Sequence, residues 1–213
     1  MAHFSGNKLT MITAYDFPSA KHAEYADIDI VLVGDSVGMV VLGYDTTQPV
    51  TMDDMIYHCK AVRRGAPNRF IVGDMPFGSY EESPGFALHN AMRFIKEVHH
   101  MIHNLSRSTT SIAHLLVSQA GVDAVKIEGG AVRAPTVQKL VESGIAVMGH
   151  VGLTPQGVSV LGGFRAQGRT AIKAKRIVDD AMALQRAGAF AMVIECVPEV
   201  VARAITASLK VMR

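Results

Sequence analysis

The chain has 213 residues, 49% of them hydrophobic and 19% charged, with 21 Lys and Arg against 19 Asp and Glu for a formal net charge of +2. This composition is globular and excludes a disordered chain or a coiled coil. The near-balanced charge leaves no electrostatic footprint for nucleic acid or an anionic membrane.

Short apolar runs alternate along the chain with longer helical patterns. Strands are predicted at Met11–Ala14, Ile30–Val33, Phe70–Gly73, Ala124–Ile127, Ile145–Gly149 and Ala191–Ile194. They are apolar almost throughout, as strands covered on both faces should be. Helices are predicted at Pro18–Tyr25, Met52–Arg64, Pro84–Glu97, Ala134–Glu142, Ile172–Ala187 and Glu199–Leu209. Pro18, Pro84 and Pro198 fall near helix starts, and Gly65, Gly144 and Gly188 just past helix ends. Repeated β-then-α order implies a parallel sheet. One repeat is internal: Ala120-Gly121, a strand and Glu128 match Ala187-Gly188, a strand and Glu195.

The longest apolar stretch, Ile30 to Leu42, is broken by Asp35 and Ser36, so no membrane span is expected. The segment from Met1 shows no targeting pattern. Cys59 and Cys196 make no disulfide framework and are expected to be buried thiols.

Asp16, Asp35 with Ser36, Asp74, Lys126 with Glu128, His150 and Glu195 each fall at or just past the end of a different predicted strand. Ionisable groups delivered to one sheet edge by many strands mark the catalytic face of a (β/α)8 TIM barrel. A doubly wound sheet gathers its groups mainly at one switch point, and no G-x-G-x-x-G follows the first strand. An α/β TIM barrel is therefore the expected fold. It would be incomplete, with strands 1–6 present and strands 7–8 missing.

Asp35, Asp74 and Glu128 offer oxygen-only ligands suited to Mg²⁺; the alternative is that each caps a helix or pairs locally. Lys126 lies two residues before Glu128, so the two side chains share one side of their strand. A buried Lys126 would hold a substrate carboxylate, form a Schiff base, or pair with Glu128. Glu195 precedes Cys196-Val197-Pro198, an apolar setting expected to raise its pKa and suit it as a general base, or else it caps the next helix. His150 would contact substrate or satisfy backbone carbonyls. The basic loop Gly162 to Arg169 would hold an anion or act as a lid, and His99, His100 and His103 make a weak zinc pattern.

These segments together resemble the ketopantoate hydroxymethyltransferase family. The matching stretches are MITAYDFPSA from Met11, VLVGDSVGMVVLGYDTTQPVT from Val31, HCKAVRRGAPN from His58, VGDMPFGSY from Val72, AVKIEGG from Ala124, GHVGLTPQGV from Gly149, LGGFRAQGR from Leu161 and VIECVPEVVA from Val193. The resemblance implies transfer of a hydroxymethyl group from 5,10-methylenetetrahydrofolate to 3-methyl-2-oxobutanoate, giving ketopantoate for pantothenate and coenzyme A. It implies Mg²⁺ held by Asp35, Asp74 and Glu128, keto-acid contacts from Asp35, Ser36, Asp74 and Lys126, with His150 lining the pocket, and Glu195 as general base. It also implies a homo-oligomer, mitochondrial in a eukaryote and cytoplasmic in a bacterium.

Two departures from the family pattern are expected to matter. Residues 98–118 read as an atypical insert, expected to be a retained short intron, which favours a eukaryotic source. The stretch beyond Leu209 would need two further strands to close the barrel. On this expectation the chain is one truncated barrel domain, poorly folded by itself and inactive in the extreme case.

Overall fold

The computed structural model of the chain describes residues 8–97, 121–157 and 165–211. Six strands form one parallel sheet in sequential order: β1 (Met11–Thr13), β2 (Ile30–Val33), β3 (Phe70–Asp74), β4 (Ala124–Glu128), β5 (Val147–Gly152) and β6 (Ala191–Glu195). The sheet curls into a half-barrel with helices packed outside it. These are α1 (Phe17–Tyr25), α2 (Val37–Val40), α3 (Met52–Gly65), α4 (Pro84–Glu97), α5 (Ala134–Glu142), α6 (Ala171–Arg186) and α7 (Glu199–Ser208). No seventh or eighth strand is seen among the described residues. Nor is any helix among them long and apolar enough to cross a membrane.

The strand sequences create two apolar faces of different kinds. Val31, Val33, Ile71, Val125, Ile127, Val147 and Val151 join the large core shared with the helices. The alternate positions Ile30, Val72, Ala124, Met148 and Ala191 form a second, smaller core on the concave side, with Leu32, Phe70, Phe190 and Val193 against it. Because strand side chains alternate with a period of two, continuing the concave series toward the carboxyl ends gives Asp74, Lys126, Glu128, His150 and Glu195. The concave face is thus apolar at its base and ionisable at its rim.

Local chemistry sets the ends of the helices. Asp16 and Ser19 form a capping box at α1, and Thr51 and Asp54 form one at α3. Thr170 caps α6. At the amino-terminal edge of the sheet, Arg63 donates from Nη2 to Asp123 Oδ2 at 2.6 Å, from Nε to Gly121 O at 2.9 Å and from Nη1 to Arg69 O at 3.1 Å. Asp123 Oδ2 also accepts from Ile71 N at 2.7 Å. This buried cluster ties α3 to the starts of β3 and β4, on the edge where a barrel keeps its stabilising contacts.

The structure corrects several expectations. Strands β3, β4 and β6 each run one residue further and take in Asp74, Glu128 and Glu195. Strand β5 begins at Val147 rather than Ile145, and Gly65 closes α3 instead of lying beyond it. The short helix α2 was hidden in an apolar run. Strand β1 is exposed along its length, because β2 is its sole sheet partner among the described residues. Cys59 is buried, but Cys196 is exposed and sits at φ 50°, in the left-handed region. The predicted insert at 98–118, the three histidines at 99, 100 and 103, and the start of the basic loop at 162–164 lie outside the described residues.

Candidate active site

Five of the six predicted strand ends deliver their groups to one rim. The exception is Asp16: its exposed carboxylate accepts from Ser19 Oγ at 2.5 Å and from Ser19 N at 2.8 Å, which together hold its pKa below the ordinary range, and its role is that of a helix cap.

Asp74 and Lys126 are direct cross-strand neighbours, and Lys126 Nζ lies 2.8 Å from Asp74 Oδ2. Burial works against the charge on Lys126, but Asp74, Asp35 and Glu128 more than offset it and its pKa is raised. A charged ammonium is not the free amine a Schiff base requires. The partner is also Asp74 rather than Glu128. Directly opposed strand residues stand closer than residues two apart on one strand, so register decides the pairing.

Asp35 lies just past β2, where its backbone N–H donates to Asp74 Oδ2 at 3.2 Å. Beside it Ser36 Oγ is 2.8 Å from the Tyr15 hydroxyl. Burial pushes the Asp74 carboxyl up to about 7, despite Lys126. It pushes Glu128 up to about 8. Asp74 Oδ1 is buried without a hydrogen-bond partner. The described residues contain no ready-made cluster of three or more acidic, His or Cys ligands. Even so, three carboxylates on neighbouring strand ends, one with an orphaned buried oxygen, fit a hard divalent cation such as Mg²⁺.

His150 is 1% exposed, and burial holds its pKa down, so the ring is neutral. Its Nδ1 is 3.4 Å from Lys126 Nζ. An ammonium has only donors, so Nδ1 must accept and Nε2 must carry the proton. That Nε2 is 3.0 Å from Glu195 Oε2, although the pair is not aligned as a straight hydrogen bond. The contact lowers the Glu195 pKa, overturning the raised value expected from its apolar sequence context. The cause is a ring supplied by the neighbouring strand.

Sequence reasoning gave no role to Gln156 and Tyr80. Gln156 is 3% exposed in the 3-10 turn Pro155–Gly157 after β5. It bonds to Asp35, Glu128, Met75 O and Tyr80 at once. Both residues fall inside stretches that carry the family resemblance, which was the available signal. Of the basic loop, the described part lies beside β6, where Gln167 N donates to Cys196 O at 2.9 Å.

The profile of the ketopantoate hydroxymethyltransferase family matches residues 2–106 and 101–212. The chain belongs to this family. A 3-methyl-2-oxobutanoate hydroxymethyltransferase from Heliobacterium modesticaldum is 53% identical over 206 residues, covering 97% of this chain and 67% of that protein. The Arabidopsis thaliana protein named 3-methyl-2-oxobutanoate hydroxymethyltransferase 1, mitochondrial, is 50% identical over 210 residues, covering 98% of this chain and 54% of its own length. The chain thus spans between about half and two thirds of these family members. Among solved structures, a phosphonopyruvate hydrolase in complex with oxalate and Mg²⁺ aligns with TM-score 0.64 at 14% identity, over 97% of this chain and 66% of that one. A putative phosphonomutase from Burkholderia cenocepacia J2315 aligns with TM-score 0.65 at 16% identity, over 97% of this chain and 77% of that one. At such identities the likeness is one of fold.

Proposed function

We propose that this chain carries the active site for transfer of a hydroxymethyl group from 5,10-methylenetetrahydrofolate to 3-methyl-2-oxobutanoate, a step toward pantothenate. One observation above all supports it: Glu195 Oε2, 3.0 Å from the neutral His150, faces the same rim as Asp35, Asp74, Lys126 and Glu128. Weakly acidic C–H chemistry needs both a positioned base and a place for the negative charge that develops.

Asp35, Asp74 and Glu128 would hold Mg²⁺, which when bound supplies Lewis-acid stabilisation of charge growing on the 2-oxo oxygen. Lys126 and Ser36 bind and orient the keto acid, with the Lys126 ammonium opposing the substrate carboxylate. His150 lines the pocket with its Nε2 3.0 Å from Glu195 Oε2. Glu195 Oε2 takes the proton from C3. As one C–N bond of the methylene bridge opens, the carbanionic C3 forms a bond to the one-carbon unit. Water then replaces the second C–N bond with the hydroxyl C–O bond, and tetrahydrofolate departs with one nitrogen taking the C3 proton by way of Glu195 and the other a proton from water. His150 holds Glu195 as the carboxylate, the form a base must start from.

By the same reading the working form is a homo-oligomer. The compartment is the mitochondrion if the source is eukaryotic, as the plant relatives' names suggest, and the cytoplasm if it is bacterial. Incubation with both substrates and Mg²⁺, followed by mass spectrometry, tests the assignment. New 2-dehydropantoate that Glu195→Gln does not form supports it. Equal product from both proteins contradicts it.

A further inference from the structure

Among the described residues, Gln156 is engaged at four separate groups. Its backbone N–H donates to Glu128 Oε1 at 2.8 Å, and its carbonyl accepts from Gln48 Nε2 at 3.1 Å. Its Nε2 donates to Asp35 Oδ2 at 2.8 Å and to Met75 O at 2.9 Å. Its Oε1 accepts from the Tyr80 hydroxyl. The residue is buried and uncharged, and both carboxylates it holds belong to other strand ends.

We propose that Gln156 is a positioning residue for the metal-binding carboxylates, its side-chain amide fixing Asp35 and its backbone N–H fixing Glu128, with Tyr80 deciding which way round the amide sits. The inference rests on the metal-site reading given above and names the residue that registers two of its three ligands.

Chemistry supports the orientation. An amide has one donating and one accepting end, and Asp35 and Met75 O both demand a donor. A Tyr80 hydroxyl proton directed at Oε1 favours that orientation; the reversed amide would set its oxygen against a carboxylate and a carbonyl. Tyr80 is itself fixed. Its hydroxyl also reaches Glu128 O at 3.3 Å, and its ring lies 5.2 Å from the Arg133 guanidinium. The preceding carbonyl, Ser79 O, accepts from Asn90 Nδ2 of α4 at 2.7 Å. A glutamine can thus fix a carboxylate in a dry site without neutralising it, which an arginine or lysine would do.

The test titrates Mn²⁺, a probe suited to oxygen ligands, into the full 213-residue chain and follows water-proton relaxation and the electron paramagnetic resonance line shape of the bound ion. Two variants are compared with the native protein. Gln156→Met keeps side-chain length and the backbone donor to Glu128 but removes the hold on Asp35. Tyr80→Phe leaves Gln156 in place but frees its amide to turn. Gln156→Met is expected to weaken Mn²⁺ binding about 10- to 100-fold, the usual effect of losing a group that orients a ligand, and to alter the line shape at saturation. Tyr80→Phe is expected to weaken it less, and the double variant no more than Gln156→Met alone. A merely structural role would lower the thermal midpoint of the metal-free protein while leaving the line shape of the bound ion unchanged, and that result overturns the proposal. If Gln156→Met does not fold, Tyr80→Phe decides alone: weaker binding supports the proposal and native binding overturns it. If the native chain binds no Mn²⁺, the metal-site reading fails and this inference with it; binding in the native chain that is unchanged in both variants overturns this inference alone.

Discussion

Lys126 Nζ approaches His150 Nδ1 to 3.4 Å, and this contact leaves the ring proton on Nε2, the nitrogen 3.0 Å from Glu195 Oε2. The ammonium thereby acts at two points: it pairs with Asp74 on one side and sets the imidazole tautomer on the other. Removing the ring is expected to cost about 10²- to 10⁴-fold in C3 proton abstraction, the range for a mispositioned general base. It should also move the acid limb of the pH–rate profile upward, since Glu195 loses the contact that lowers its pKa. A profile of His150→Ala with the native acid limb would contradict this pairing.

Metal binding should release protons. In the metal-free protein burial raises Asp74 to about 7 and Glu128 to about 8, so each carries a proton at pH below its own value, and a cation that binds these carboxylates displaces it. Groups whose pKa rises on folding stabilise fully below the ordinary carboxylate value and lose that contribution as pH climbs toward the folded value. The metal-free melting temperature is therefore expected to fall between about pH 5 and about pH 8, while the gain on adding Mg²⁺ grows over the same window. Melting curves with Mg²⁺ and with EDTA across that range check both trends.

The Arg63–Asp123 cluster should govern stability without touching the site. Both side chains are buried, and Asp123 also accepts from Ile71 N. Asp123→Ala leaves an uncompensated buried guanidinium and is expected to cost about 3–5 kcal/mol. Urea denaturation measures the loss, and Mn²⁺ affinity of the folded protein should stay native.

Asp16 should behave as a cap. Asp16→Ala is expected to destabilise by about 1 kcal/mol through the lost bond to Ser19 N, with metal affinity unchanged. A large loss of metal affinity would return Asp16 to the site.

Much of the architecture was legible because strand alternation is a local property. Phe70, Val72 and Asp74, or Ala124, Lys126 and Glu128, can be counted off in steps of two, and the acidic and basic groups fall at the ends of those series. Partners were not legible, since they depend on register. Lys126 faces Asp74 because β3 and β4 place them opposite each other. The low Glu195 pKa comes from His150 on the neighbouring strand, which no count along β6 reveals. Gln156 was invisible for a similar reason: its bonds to Asp35 and Met75 span 121 and 81 positions of sequence. Helix α2 has only four residues, too few for a helical period to stand out within an apolar run.

Proton NMR of 3-methyl-2-oxobutanoate in D₂O with this protein isolates proton abstraction by Glu195, because deuterium exchange at C3 needs no folate. Collapse of the methyl doublet in Mg²⁺, its suppression by EDTA, and its loss in Glu195→Gln are the predicted results. No exchange with the native chain, or exchange that continues unchanged in Glu195→Gln, would contradict the assignment of base and metal to this rim.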